Sequence, residues 1–210
     1  MLQQKIATWQ KNSEWGAAAY LAFSQYGRNG HEIDINNNSS YITGNGGGST
    51  SASSASGTTN AYNTKTGAKA STTGNIYGIY DMSGGAWEYT AAFNDTDTNN
   101  YESKYGSSFA STTNSSTKYA TKYSNNTTTS YGTKIYEVGK IGDGTKETYS
   151  ESSSYSWNPN NDYTYFAYSS GPFFIRGGLF LDGSDAGVFS SLAYDGSSSS
   201  IDSFRVVLCP

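Results

Sequence analysis

Residues 75–93 read NIYGIYDMSGGAWEYTAAF, the densest apolar run in the middle of the chain. The paired glycines at its centre rule out a continuous helix, so the run reads as a turn, a tight glycine loop and a short strand through Trp87 and Tyr89. Gly84 and Gly85 permit positive φ, Trp87 offers a large ring for burial, and Glu88 directs a carboxylate back into the loop. A strand this short needs neighbours, and both flanks of the sequence supply candidates.

On the N-terminal side, NSEWGAAAYLAFSQYG at 12–27 predicts a helix. Ser13 is its expected cap, Trp15, Ala18, Ala19 and Ala22 share one apolar face at helical spacing, and Gly27 is its expected stop. In HEIDINNNSSYITG at 31–44, Ile33 and Ile35 alternate with polar residues, a short strand signal. Residues 44–74 are nearly free of large apolar groups and read as a long mobile loop outside the core. Residues 94–170 form a second polar insertion with little core, a better-patterned piece YGTKIYEVG at 131–139 and a turn at IGDGT, 141–145. The tail returns to strand-like runs, FFIRGG at 173–178 and SFRVVL at 203–208, which must pair with earlier strands to close a small antiparallel sheet. The expectation is a single α+β domain over 1–210, with an N-terminal stub at 1–11 and a distinct C-terminal region at 173–210.

A chain of 210 residues with 35% apolar content can bury a real core. Its net charge of −4 and its lack of a Lys/Arg cluster argue against nucleic acid and anionic lipid as partners. No run approaches the roughly 18 apolar residues a bilayer requires, so no membrane contact is expected of the chain as given. Cys209 stands alone, which removes internal disulfides and four-cysteine zinc sites. The 19 tyrosines lie among Ser, Thr, Asn and Gly, a palette that recurs on binding surfaces.

Three pieces in order, SEWGAAAYL at 13–21, YGIYDMSGGAWEY at 77–89, and FIRGGLF at 174–180 followed by SFRVVL, resemble the formylglycine-generating-enzyme type of the C-type lectin fold. The resemblance implies a small antiparallel sheet, few helices and long polar insertions. In that family the glycine loop can hold calcium through an Asn side chain, backbone carbonyls and the Glu. Here Gly85 stands at the Asn position, so Gly85 and Glu88 are the calcium candidates. Calcium takes at least six oxygens, and the other reading has Glu88 bonding loop amides. No other cofactor is expected.

Catalytic members of the family need paired cysteines or a histidine cluster, whereas this chain has only Cys209 and His31. The resemblance therefore implies a protein that is not an enzyme, with His31 an exposed loop residue. DTDTNN at 95–100 lacks the sixth-position Gly and closing Glu of a calcium loop and reads as a solvated turn. Arg176 and Arg205, each inside an apolar strand, are expected to pair with Asp81 or Glu88.

A narrower resemblance concerns the tail. R-G-G at 176–178, AGVF at 186–189 and SFRVVL look like the frame of variable proteins of diversity-generating retroelements. In that group adenine-specific mutagenesis turns AAY codons into NNY codons, which cannot encode Lys, Glu, Gln, Met or Trp. None of those five residues occurs from Arg176 to Arg205. Independently, Leu179, Phe180, Leu181, Leu192, Tyr194 and Ile201 are spaced too irregularly for one strand face, so some are expected at the surface. The candidate ligand-binding residues are Leu179, Phe180, Leu181, Asp182, Asp185, Ser190, Ser191, Leu192, Ala193, Tyr194, Asp195, Ser197, Ser198, Ser199, Ser200, Ile201 and Asp202. The competing reading is a satellite core beneath the insertions. Gly177, Gly178, Gly183, Gly187 and Gly196 read as turn residues rather than contacts.

These features lead to a non-catalytic display protein whose surface at about 179–202 contacts a protein or glycan on another cell or virus. Its expected location is a cell surface, the extracellular space or a virion surface, with an anchoring segment expected before residue 1. The alternative is a structural pilin-like or phage-tip subunit whose tail packs against its neighbours.

Overall fold

The computed structural model describes residues 6–37, 42–43, 60–95, 104–105, 119–124, 139–148 and 162–209. The architecture is mixed α+β, with one main helix, α1 (Asn12–Phe23), and two small sheets. The strands are β1 (Ile6–Trp9), β2 (Trp87–Asp95), β3 (Thr121–Ser124), β4 (Phe173–Arg176), β5 (Ser191–Tyr194), β6 (Asp202–Phe204) and β7 (Val206–Cys209). The run that begins at Trp87 becomes the nine-residue strand at the centre of the larger sheet.

One edge of β2 carries β4, antiparallel, and β4 in turn carries β5, also antiparallel. The other edge is met by three segments in succession. β6 pairs parallel with Trp87–Tyr89, the Gln10 carbonyl accepts the Ala91 N–H at 2.8 Å, and β3 pairs parallel with Ala92–Asp95. β7 pairs antiparallel with β1 in a two-stranded ribbon. The sheet is therefore mixed rather than wholly antiparallel, because β6 and β3 both reach β2 through long connections instead of hairpins.

Strand alternation gives the larger sheet two distinct faces. Phe174 and Arg176 project to the side of α1, while Phe173 and Ile175 project to the side covered by the tail. On the helix side, Trp15, Ala19 and Ala22 pack with Ile33, Met82, Val188 and Phe189, with Ala18 against the cluster. The predicted helical face is thus the one that is buried.

The helix ends differ from expectation. Lys11, not Ser13, is the N-cap, and its N–H donates to Glu14 Oε2 at 2.8 Å. The helix stops at Phe23, four residues before Gly27, where the Ser24 hydroxyl donates to the Leu21 carbonyl and competes with the next helical turn. Ile33 is buried as its pattern implied, but among the described residues of the segment no strand forms, and Asn36 bridges to Gly84.

Both polar insertions contribute more core than their composition implied. In the first, a 3-10 turn at Gly67–Ala70 buries Ala68 and Ala70, and Ser71 and Thr72 are buried after it. In the second, Tyr123, Phe166 and Ala167 form a cluster with Ala92 and Phe174. Isolated aromatic and alanine residues carry no periodic signal, so their burial comes from tertiary contact alone. Residues 44–59, 96–100 of DTDTNN and 131–138 of YGTKIYEVG lie outside the described residues.

Candidate ligand-binding surface

The glycine loop anchors the surface. Gly84 has φ +73°, and a Cβ on it would lie 2.2 Å from the Asn36 carbonyl oxygen, so only glycine fits there. Its N–H donates to the Gly177 carbonyl at 2.8 Å, which joins this loop to the start of the tail. The Gly85 carbonyl accepts the Phe180 N–H at 2.8 Å. Behind the loop, Arg205 grips Glu88 with both ends of its guanidinium: Nε donates to Oε2 at 2.6 Å, and Nη2 donates to Oε1. Burial raises the Glu88 pKa and Arg205 opposes that rise.

At the two calcium candidates, both Glu88 oxygens accept from Arg205 and the Gly85 carbonyl accepts from Phe180, so each already has a protein donor. Among the described residues no three His, Cys, Asp or Glu side chains converge as a metal site. His31 is an exposed loop residue.

Arg205 makes the ion pair expected of it, but Arg176 does not. Fully buried, Arg176 donates through Nε to the Ser190 carbonyl (2.9 Å) and through Nη1 to Asn12 Oδ1 (2.6 Å) and the Asp143 carbonyl (3.0 Å). Burial pulls its pKa down to about 10, against the opposing pull of Asp143, so it stays charged at neutral pH. Asn12 also donates to the Tyr123 hydroxyl at 2.8 Å, and that hydroxyl donates to Asp143. The guanidiniums of Arg176 and Arg205 each lie over the Trp15 ring, 5.7 Å from its centroid. Strand position alone could not assign these partners, because β2 and β4 set Glu88 opposite Arg176 while the side chains take different neighbours.

From this frame the tail rises as two arches. The first runs from Gly178 to Ser190. Gly178, at φ +82°, folds onto Ala186, whose Cα would lie 2.5 Å from a Cβ at 178. The Leu179 N–H donates to Asp182 Oδ2 at 2.7 Å, and a 3-10 turn at Gly183–Asp185 returns the chain inward. Val188 and Phe189 then join the helix cluster, and the Phe189 N–H donates to buried Asp162 Oδ2 at 3.0 Å. Burial first, and Glu32 second, raise the Asp162 pKa. In the second arch, Asp195 Oδ1 accepts from both the Ser197 N–H (2.8 Å) and hydroxyl (2.7 Å). The Tyr89 hydroxyl donates to the Ser197 carbonyl at 2.9 Å.

The predicted residues divide by burial. Leu179, Phe180, Ser190, Ser191 and Ala193 are buried, which corrects the expectation that they are presented. Leu179 and Phe180 pack with Trp87 and Ile175, while Ser190 and Ser191 hold the arch to β4 and to Tyr163 and Tyr165. Leu181 is 45% exposed, and Ser198 and Ser200 are exposed as well. Asp182, Asp185, Leu192, Tyr194, Asp195, Ser197, Ser199, Ile201 and Asp202 are half-buried.

Two residues outside the predicted set belong with them: exposed Ser184 and half-buried Tyr89, whose ring meets Tyr194 edge-on at 6.1 Å. Alternation within WEY puts Tyr89 on the face of Trp87, opposite Glu88, and that is the signal that identifies it. No family model, curated protein or solved structure matches the chain.

Proposed function

We propose that the chain is a non-catalytic display protein of the C-type lectin, formylglycine-generating type, whose tail at about 179–202 is a diversified ligand-binding surface exposed outside a cell or on a virion. The observation that carries this reading is the split within the tail. Backbone and buried groups fix the arches, while Leu181, Ser184, Ser198 and Ser200 are exposed. Side chains that the fold does not need are free to vary, and an arch held by its own backbone tolerates their exchange.

The test has two parts. A library randomised at Leu181, Ser184, Ser198 and Ser200 is expected to yield mostly folded members, from which binders to unrelated proteins can be selected; a mostly unfolded library sinks the display reading. In the flanking DNA, a near-copy of the coding stretch that differs only at adenines, beside a reverse transcriptase, is expected. Its absence removes diversification from the proposal.

A second reading, a structural subunit packed against copies of itself, draws support from the β1–β7 ribbon. Trp9 stacks on Phe204 at 4.9 Å, and both rings, with Val206 and Leu208, are about half exposed on one face. Sedimentation at rising concentration distinguishes the readings: self-association abolished by Phe204→Ser supports the subunit.

A further inference from the structure

The β1–β7 ribbon leaves one of its faces uncovered. Phe204, Val206 and Leu208 alternate with Arg205, which turns to Glu88 on the other side, and the register sets Trp9 opposite Val206 on the same face. Trp9 stacks on Phe204 with ring centroids 4.9 Å apart, so the four side chains form one continuous stripe. Trp9 is 47% exposed, Phe204 56%, Val206 51% and Leu208 63%. A two-stranded ribbon is marginal on its own in water and gains stability when a further layer covers its apolar face.

Area and charge identify that layer. With an aromatic side chain offering about 150–250 Å² and a Val or Leu about 100 Å², the exposed part of the stripe comes to roughly 350 Å². A standard interface draws about 800 Å² from each partner, about 56–65% of it apolar, so the stripe supplies roughly two-thirds to three-quarters of the apolar share. None of its four residues is charged, and Lys11 and Glu14, which follow β1, pair with each other at 3.6 Å. Across a two-fold axis every patch meets its own copy, so a chain of net charge −4 meets itself with least repulsion on an uncharged face.

A head-to-tail contact needs a different apolar surface to receive the stripe. Tyr62, Ile76, Tyr77 and Ile79 are also exposed, but Lys65 and Lys69 stand exposed in the same part of the chain. The stripe has no carboxylate to answer those lysines, so it matches itself better than it matches that segment.

We infer that two copies of the chain close on each other across a two-fold axis, ribbon against ribbon, the stripe of one copy covering the stripe of the other. This rests on the subunit reading, in which copies meet at the ribbon, and adds that the contact ends at two. A patch that is its own complement is filled by one partner, so any longer assembly needs a second surface.

Sedimentation equilibrium of the full chain between about 1 and 100 μM tests the inference. A species of twice the mass of the chain is expected to grow with concentration and to persist in about 1 M NaCl, because no charge carries the contact. Phe204→Ser and Leu208→Ser are each expected to weaken pairing about tenfold or more. Leu208 is the more exposed of the two, so Leu208→Ser keeps the test sound if Phe204→Ser melts early. Assemblies that grow past two overturn the inference and leave the subunit reading standing. A dimer dissolved by salt, or indifferent to both variants, overturns the inference alone, since copies then meet at another surface. A chain still monomeric at about 100 μM overturns both and gives the stripe to a partner other than a second copy.

Discussion

The two faces of the β2–β4–β5 sheet are built on different terms. On the helix side, Asn12, Tyr123, Asp143 and Arg176 close a buried network in which each polar group answers another. On the tail side, Trp87, Ile175, Leu179 and Phe180 form an apolar floor, and the polar groups above it bond mainly to their own arches. The difference teaches where specificity of fold resides. A closed buried network tolerates no change, whereas arches held by glycines, turns and backbone bonds leave their outward side chains uncommitted.

The contrast breaks most sharply at Arg176. Arg176→Met removes the donor from the buried Asp143 carbonyl and the Asn12 oxygen and leaves the Ser190 carbonyl with only the Gly177 N–H, and about 3–5 kcal/mol of stability is expected to be lost in denaturant unfolding. A loss under about 1 kcal/mol would mean that the network relaxes freely, and the helix side would then not be the rigid one.

Phe180→Ala probes the floor beneath the arches and is expected to cost about 3 kcal/mol, because the ring is 2% exposed among Trp87, Ile175 and Leu179. A neutral outcome would return Phe180 to the presented set.

Asp202 gives a smaller, pH-dependent effect. Its folded pKa of about 6 lies above the ordinary carboxyl value of about 4, so the folded state holds the proton more tightly than the unfolded one. The resulting stabilisation is complete below about pH 4 and is lost as the pH rises through about 6. Asp202→Asn escapes that loss, so it should match the native chain at pH 4 and exceed it at pH 7.5 by at most about 1 kcal/mol after solvent screening. Melting curves that stay parallel at both pH values would contradict the placement of Asp202 beside Asp195.

Leu181→Asp, one residue from Phe180, is expected to change stability by less than about 0.5 kcal/mol, since the side chain is 45% exposed. A melting temperature that drops as far as that of Phe180→Ala would erase the division within the tail.

That division was not legible in LFLD. Three consecutive apolar residues carry no period, and it is the Gly178–Ala186 contact and the turn at 183–185 that bury Leu179 and Phe180 and turn Leu181 out. Ala68, Ala70 and Phe166 were illegible for the same reason: single apolar residues in polar surroundings join a core only when distant segments close over them.

The amino-acid sequence by itself determined the local elements whose cause is local: the buried stripe of α1, the positive-φ loop at Gly84–Gly85, and the strands around Trp87, Phe173 and Val206. Periodicity and glycine chemistry act over a few residues and can be read there. Tertiary structure alone decided which arginine meets Glu88, which strands run parallel, and which tail residues face solvent. Each of those outcomes depends on a meeting of residues for which the chain carries no local signal, from Glu88 with Arg205 and Ala92 with Thr121 to the close approach of Gly178 and Ala186.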